Sequence, residues 1–296
     1  MDRTIDTNIR NIRDHYNQYF DLLDREKTLS AAGWNQPPPI MNIGYWGRGA
    51  TTSREAQIQF VHELALRAPS LKDIRVLDVG CGLTGPASIL AREYGAEVDG
   101  LNIVEQQVVW ARKYVAGNGL QDRVRVHLAS AMDIPFPDES VDVVFSLEAA
   151  HCFIDKPRFL AEARRVLRPD GKLLLADITA TSHVPFLRWQ PALKLNLVTA
   201  ADWRRMIEAG GFALEQEELI GHSVYPGFRR WADRTAGERR RTILSRICKN
   251  DASLPVRSLK QLQAWALEYV RCRSVLKIGS WLKLRQYVLF VASKEG

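Results

Sequence analysis

The chain has 296 residues, 46% apolar and 25% charged. These are ordinary globular values, so disorder, a collagen-like repeat and a coiled-coil rod are excluded as readings of the whole chain. The net charge of 41 − 34 = +7 is unevenly placed: Ser223 to Arg285 carries 15 Lys/Arg and 4 Asp/Glu, or +11, leaving 7 − 11 = −4 on the rest. Four cysteines (Cys81, Cys152, Cys248, Cys272) form no CxxC, so neither a structural zinc nor a disulfide framework is supported. No run of 18 apolar residues and no apolar leader core occur, so no membrane span is expected, and a cytoplasmic protein with reduced thiols is the expectation.

In chain order, Ile5, Ile9, Ile12, Tyr16, Tyr19, Phe20 and Leu23 recur at helical spacing, which predicts an amphipathic helix that ends before Pro37-Pro38-Pro39. Met41 to Ala50 reads as a glycine-rich loop, and Thr52 or Ser53 as the cap of a helix to about Ala68. A strand at Val76–Val79 runs into Gly80-Cys81-Gly82. There follow a helix over Pro86–Tyr94, a strand over Val98–Ile103, a helix over Glu105–Ala116, and strands at Val124–Leu128 and Val141–Leu147. A helix over Arg158–Leu167, a turn at Pro169-Asp170-Gly171 and a strand over Lys172–Ile178 complete the regular part. Strands alternating with helices predict a parallel sheet covered on both faces. Thr179 to Leu197 reads as a loop with short helical pieces, Ala200–Ala209 as a helix, Phe212–Ile220 as a strand, the basic stretch to Lys283 as mostly helical, and Gln286–Ser293 as a last strand.

Gly80, Gly82 and Gly85 fit G-x-G-x-x-G between a strand and a helix, where glycine permits a tight turn and close approach of a ligand to the backbone. Alone the motif suits a nicotinamide cofactor as well, and Asp99 stands near the ribose-binding spacing. Asp78 discriminates: at the carboxyl end of its strand it would repel a pyrophosphate and attract a positively charged amino acid moiety.

With these residues the chain resembles the class I S-adenosylmethionine-dependent methyltransferases, particularly the sugar, sterol and natural-product O- and C-methyltransferases. The resemblance rests on Asp78 to Gly85, Val98 to Ile103 with Gln107-Val108, and Ser130-Ala131-Met132-Asp133-Ile134-Pro135-Phe136. It extends to Asp142-Val143-Val144 through Glu148-Ala149-Ala150-His151, to Leu167 through Lys172, and to a lid-like segment Asn42 to Trp46. It covers roughly Asn42 to Ile220, and departs from the family where Thr84 replaces a usual glycine, Asn102 a frequent acid and Ser130 a usual aspartate. It implies a doubly wound, Rossmann-like α/β fold with a seven-stranded sheet and a helical cap. It also implies S-adenosylmethionine as cofactor, contacted by Tyr45, Trp46, Asp78, Gly80, Gly82, Asn102, Ile103, Gln107, Ser130, Ala131, Met132 and Leu147. A branched side chain at Gly80 is expected to abolish donor binding with the fold intact.

Methyl transfer is an in-line displacement that needs donor and acceptor held together, and an oxygen acceptor usually needs a base. His151, just after the fourth strand, is the candidate base, and Asp177, at the end of the fifth, would orient or charge-stabilise its imidazole. The resemblance points to the same two residues. Glu148 is the third candidate, to bind substrate, steady His151 or stabilise a cation if carbon is methylated. Cys81 and Cys152 need no nucleophilic role, and scattered histidines give no metal site.

The expected organisation is an N-terminal region with the lid (1–70), a cofactor-binding core (71–222), a basic helical cap (223–285) and a final core strand (286–296). The expected activity is methyl transfer to a hydroxyl or carbon of a small, partly apolar metabolite in secondary metabolism, with carbon methylation of a prenyl-type or anionic acceptor as the alternative. An anionic acceptor and a homo-oligomer remain open. An NAD-dependent oxidoreductase is the rival enzyme class. A nucleic-acid-binding reading of the basic stretch is disfavoured because no RNA-binding module is recognisable.

Overall fold

The structure, a computed structural model, describes residues 40–181, 189–190, 195–231, 233–234 and 285–295. The expected N-terminal amphipathic helix and most of the basic cap lie outside the described residues.

Each strand alternates its apolar side chains between two faces. Val76, Val98, Val143 and Leu174 join the core cluster on one face, while Leu77, Leu101, Val144 and Leu175 join that on the other. Such a sheet must be covered on both sides. The strands are β1 (Arg75–Val79), β2 (Glu97–Asn102), β3 (Val124–Leu128), β4 (Val141–Leu147), β5 (Leu167–Ala180), β8 (Phe212–Leu219) and β9 (Arg285–Lys294), after a two-residue pair, β6 (Trp189–Gln190) and β7 (Leu195–Asn196). The helices are α1 (Ser53–Ala65), α2 (Gly85–Tyr94), α3 (Glu105–Gly117), α4 (Lys156–Val166), α5 (Ala200–Ala209) and α6 (residues 221–231). Phe60 and Leu64 of α1, Leu90 of α2 and Tyr114 of α3 cover the first face. Phe159 and Leu160 of α4 and Trp203 of α5 cover the second.

The seven-stranded sheet has the order β3-β2-β1-β4-β5-β9-β8. The first five strands pair in parallel, whereas β9 runs antiparallel to both β5 and β8. The sheet is therefore not wholly parallel as expected: β9 enters from the opposite end, after the cap segment. Strand order reverses between β1 and β4, which opens a crevice beyond the carboxyl ends of those strands, the place where ligands bind in open α/β sheets.

Three local expectations change. The turn at Asp170 is a bulged start to β5: the β4–β5 register shifts between Val141 and Val143, and Asp170 takes φ +62°. In the stretch after Ala180 the described residues form the β6–β7 ladder, and the expected helical pieces fall on residues outside the described ones. Asp99 is not at the carboxyl edge. It is buried in the middle of β2, bonded to Arg75 Nε and His127 Nε2 at 2.8 Å each, which removes it from ribose binding.

Helix α1 carries the segment in front of the crevice, because Tyr45 N–H donates to Ala56 O at 2.8 Å and Gln57 Nε2 to Asn42 O at 2.9 Å. Its start is fixed by Thr52 and Glu55, which form a reciprocal capping box. Thr52→Ala is expected to lower stability by about 1 kcal/mol in urea denaturation, with Thr52→Asn close to wild type. An unchanged midpoint in Thr52→Ala would show that α1 is held by packing alone.

Candidate active site

Asp78 stands near the end of β1, level with Gly100 of β2 and Phe145 of β4. It is 2% exposed, accepts a hydrogen bond from the Ala87 backbone in the first turn of α2, and its Oδ2 is buried without a partner among the described residues. Burial pushes its pKa from 3.8 up to about 7, against the Ala87 bond that lowers it. A cation at this position would restore the charged form.

The glycine loop wraps the next turn. Gly80 and Cys81 both donate their N–H groups to Leu101 O at 3.0 Å. Gly80 has φ +83°, and a Cβ there would stand 2.4 Å from the Ala149 Cβ. A branched side chain at Gly80 therefore collides with the chain after β4 before it meets any ligand, so the fold would not stay intact as expected. Thr84, where the family has glycine, is held at φ +63° with its hydroxyl buried and without a partner among the described residues. Cys81 is buried, and burial raises its thiol well above the usual range, which leaves it uncharged and non-nucleophilic.

Asn102, at the end of β2, is engaged inside the protein. Its Nδ2 donates to Gly82 O at 3.0 Å and to Gln107 Oε1 at 2.8 Å, and its Oδ1 accepts from Val104 N–H at 2.9 Å. Gln107 keeps a buried Nε2 without a partner among the described residues. Ile103 between them is partly buried. Ser130 closes a short turn through a bridge to Asp133, and its Oγ accepts from Met132 N–H at 3.2 Å. Ala131 and Met132 pack into the second core cluster. Helix α4 fixes this loop by polar contacts: Arg158 to Met132 O, Glu162 to Ile134 N–H, and Arg165 to Ile134 O and Phe136 O.

On the other side of Asp78 lie the chemical candidates. Leu147 ends β4, Glu148 follows at φ +54°, and a short helical turn (Ala150–Cys152) carries His151. His151 Nδ1 lies 2.7 Å from Asp177 Oδ1, and both residues are buried. Asp177 Oδ1 also accepts from Ile178 N–H at 2.8 Å, and Oδ2 is buried without a partner among the described residues. Burial opposes a charged imidazole, but the neighbouring Cys152 and the Asp177 carboxylate outweigh it and hold His151 well above its ordinary pKa.

Glu148 Oε2 accepts from Ile43 N–H and from Tyr287 O–H, each at 2.9 Å. Burial raises its pKa from 4.5 to about 7, with the Ile43 bond opposing. Burial likewise holds the Tyr287 phenol well above its usual value.

The lid residues divide. Tyr45 is 6.0 Å from Phe60 of α1, ring to ring. Trp46 donates its indole N–H to Ile43 O at 2.9 Å and packs 6.5 Å from Trp231 of α6. Both anchor the segment, while Met41 reaches the glycine loop: a Cβ on Gly82 would come within 2.9 Å of its terminal methyl. The sequence reading missed Met41, Ile43 and Tyr287. Ile43 acts through its backbone, and Tyr287 looks like any aromatic in an apolar strand. Lys156 was missed as well. Its buried ammonium donates to Phe153 O and Asn196 O at 2.9 and 2.7 Å, tying the His151 turn to the chain before α5.

The site thus offers an acid at a strand end, a glycine turn, unpartnered buried polar atoms on Asp78 and Gln107, and a histidine–aspartate pair across the crevice. These donors and acceptors fit the amino acid end and the nucleoside of S-adenosylmethionine. The fold and site define an enzyme of the class I, Rossmann-like methyltransferases. The comparisons agree. Residues 77–175 match the family described as "Methyltransferase domain". The methyltransferase GfsG of Streptomyces halstedii is 35% identical over 237 residues, covering 74% of this chain and 81% of that protein. The 27-O-demethylrifamycin SV methyltransferase of Amycolatopsis mediterranei is 30% identical over 235 residues, covering 77% and 83%. The cyclase SpnF has the same fold, with a TM-score of 0.70 at 23% identity over 94% of this chain and 95% of that one. The chain belongs to the S-adenosylmethionine-dependent methyltransferases, with S-adenosylmethionine as its cofactor. No described helix is long and apolar enough to cross a membrane.

The raised pKa of Asp78 gives a signed prediction. A carboxyl whose folded pKa lies above its unfolded value stabilises the fold below the unfolded pKa, and that contribution is lost as pH rises through the folded one. Between about pH 4 and pH 7, Asp78→Asn without cofactor should therefore become progressively more stable than wild type, by a few kcal/mol at pH 8. Adding S-adenosylmethionine should reverse the order, since its ammonium favours the ionised carboxylate. Parallel stability–pH curves for the two proteins would refute this account.

Proposed function

We propose that the enzyme methylates a hydroxyl of a small, partly apolar natural product, with His151 as general base and Asp177 as its orienting partner. The observation that carries this reading is the 2.7 Å contact between His151 Nδ1 and Asp177 Oδ1 at the carboxyl edge of the sheet. S-adenosylmethionine supplies a methyl group made electrophilic by the sulfonium. Asp78 and the Gly80–Gly82 turn would hold its amino acid end. Gln107, Asn102 and Ile103 would lie toward the ribose, and Ser130, Ala131 and Met132 toward the adenine.

The chain's own residues do the proton work. With Nδ1–H donated to Asp177, the lone pair of the neutral ring sits on Nε2, the nitrogen left to take the acceptor's proton. Asp177 keeps the ring in that tautomer and stabilises the imidazolium formed. The Met41–Trp46 segment excludes water from the crevice. The substrate class is supported by the relatives, of which one is named for a rifamycin derivative and another as an O-methyltransferase of Penicillium expansum, cnsE. Glu148 has its Oε2 taken by Ile43 and Tyr287, which favours a positioning role over one facing a carbocation.

His151→Ala should lower turnover by about 10²–10⁴. Because the imidazole pKa is raised, kcat/KM of the wild type should climb with pH through a value above 6.5, and that climb should vanish in His151→Ala. Asp177→Asn should also be impaired, as it removes the charge that supports imidazolium. Glu148→Gln should be the least damaged of the three. A pH-independent rate with an active His151→Ala enzyme, and Glu148→Gln the most damaged, would instead assign the enzyme to carbon methylation through a cation.

A further inference from the structure

We infer that Tyr287 is a positioning residue which, through Glu148, holds the 40–46 segment closed over the glycine loop; this rests on the reading of that crevice as the cofactor site. Tyr287 lies on β9 opposite Ile178, fully buried. Its ring packs 5.1 Å from Phe60 of α1 and 6.3 Å from Tyr225 of α6. Phenylalanine would make the same ring contacts, so packing alone gives no reason for a hydroxyl. Burying that hydroxyl is unfavourable unless it finds a partner, and the partner is Glu148 Oε2 at 2.9 Å.

The same oxygen accepts the Ile43 N–H at 2.9 Å. One carboxylate oxygen thereby joins the last strand of the sheet to the backbone of the segment that crosses the crevice. Glu148 is aimed there by its own backbone, held left-handed at φ +54° with its N–H donated to Ala176 O at 2.8 Å. A non-glycine residue keeps such a conformation only when its surroundings impose it. On either side of Ile43 the segment is tethered to other elements, Asn42 to Gln57 of α1 and Trp46 N–H to Ser223 O of α6. Ile43 is where it fastens to the catalytic edge, two residues from the Met41 methyl that lies over Gly82. A ligand enters or leaves beneath this segment only when the Ile43 bond opens. The Tyr287 hydroxyl fixes the Glu148 rotamer that makes the bond.

The test follows hydrogen exchange at the Ile43 amide and the dissociation rate of S-adenosylmethionine from the full chain. In Tyr287→Phe, Ile43 exchange and cofactor dissociation should both quicken by about 5- to 10-fold, the weight of one neutral hydrogen bond. Amides of β1 and β4 should exchange as in wild type. The KM for the methyl donor should rise by a similar factor, and kcat should fall by less. Glu148→Ala should reproduce the Ile43 effect, and adding Tyr287→Phe to it should have no further consequence. Glu148→Gln, which keeps an acceptor oxygen, should retain protection. Unchanged Ile43 exchange in Tyr287→Phe overturns the inference, whatever Glu148→Ala does, and so does a uniform rise across β1, β4 and Ile43, which marks a merely structural role. If wild type fails to bind S-adenosylmethionine, the reading of the cofactor site falls while Ile43 exchange still decides the latch.

Discussion

The structure is organised around a carboxylate buried at the end of a central strand with no cation beside it among the described residues. Asp78 sits among apolar strands, anchored on one oxygen to the first turn of α2 and unpartnered on the other. Without ligand, burial favours its neutral form. A sulfonium-bearing amino acid with a free ammonium changes that balance, because opposite charge at short range in a dry site is worth far more than in water. The loop around Asp78 is tightly packed: a Cβ on Gly80 would meet Ala149, and one on Gly82 the Met41 methyl.

The rest of the sheet keeps that edge in register. On β1, β2 and β3, Arg75, Asp99 and His127 form a line of hydrogen bonds across three strands, and the Arg75 guanidinium lies over the Phe136 ring. Phe136 ends the loop that begins at Ser130, and α4 grips the same loop from its other side through Arg158, Glu162 and Arg165. The Ser130–Phe136 loop is therefore held by contacts from both the sheet and a helix. Its precision comes from elements that never touch the chemistry, as a preorganised site requires.

The legible part of the fold was the part written in local patterns. Apolar strand runs, the glycine turn and the helix caps have short-range signatures, so strand and helix positions were read to within a few residues. His151 and Asp177 were legible because one follows β4 and the other lies toward the end of β5, and adjacent parallel strands bring such positions together. Contacts between distant positions were not. Tyr287 reads as one more apolar residue of β9, and its hydroxyl matters only because β9 lies beside β5 and reaches Glu148. Ile43 contributes a backbone N–H, which no residue type announces. Asp99 misled for the converse reason: its spacing suited a ribose, while its alternation along β2 turned it to the face where Arg75 and His127 wait. The antiparallel direction of β9 has no local signal at all, being set by where the chain returns.

Ionisation links the two halves of the site. Asp78 and Glu148 both have pKa values pushed up to about 7 by burial, while His151 is pushed above its usual value by Asp177 and Cys152. Near neutral pH the crevice thus holds acids disposed to keep their protons and an imidazole disposed to take one. A cationic donor favours loss of the proton from Asp78. If His151 is the base of the proposal, it too must lose its proton before it can act. Both requirements are met as pH rises, so donor binding and base catalysis share a direction even though they depend on different groups. Behind the His151 turn, the buried Lys156 donates to two backbone carbonyls, Phe153 O and Asn196 O, and burial lowers its pKa from 10.5 to about 8. Those two bonds tie the His151 turn to the chain before α5, so the place of the imidazole is set from behind as well as by its 2.7 Å contact with Asp177.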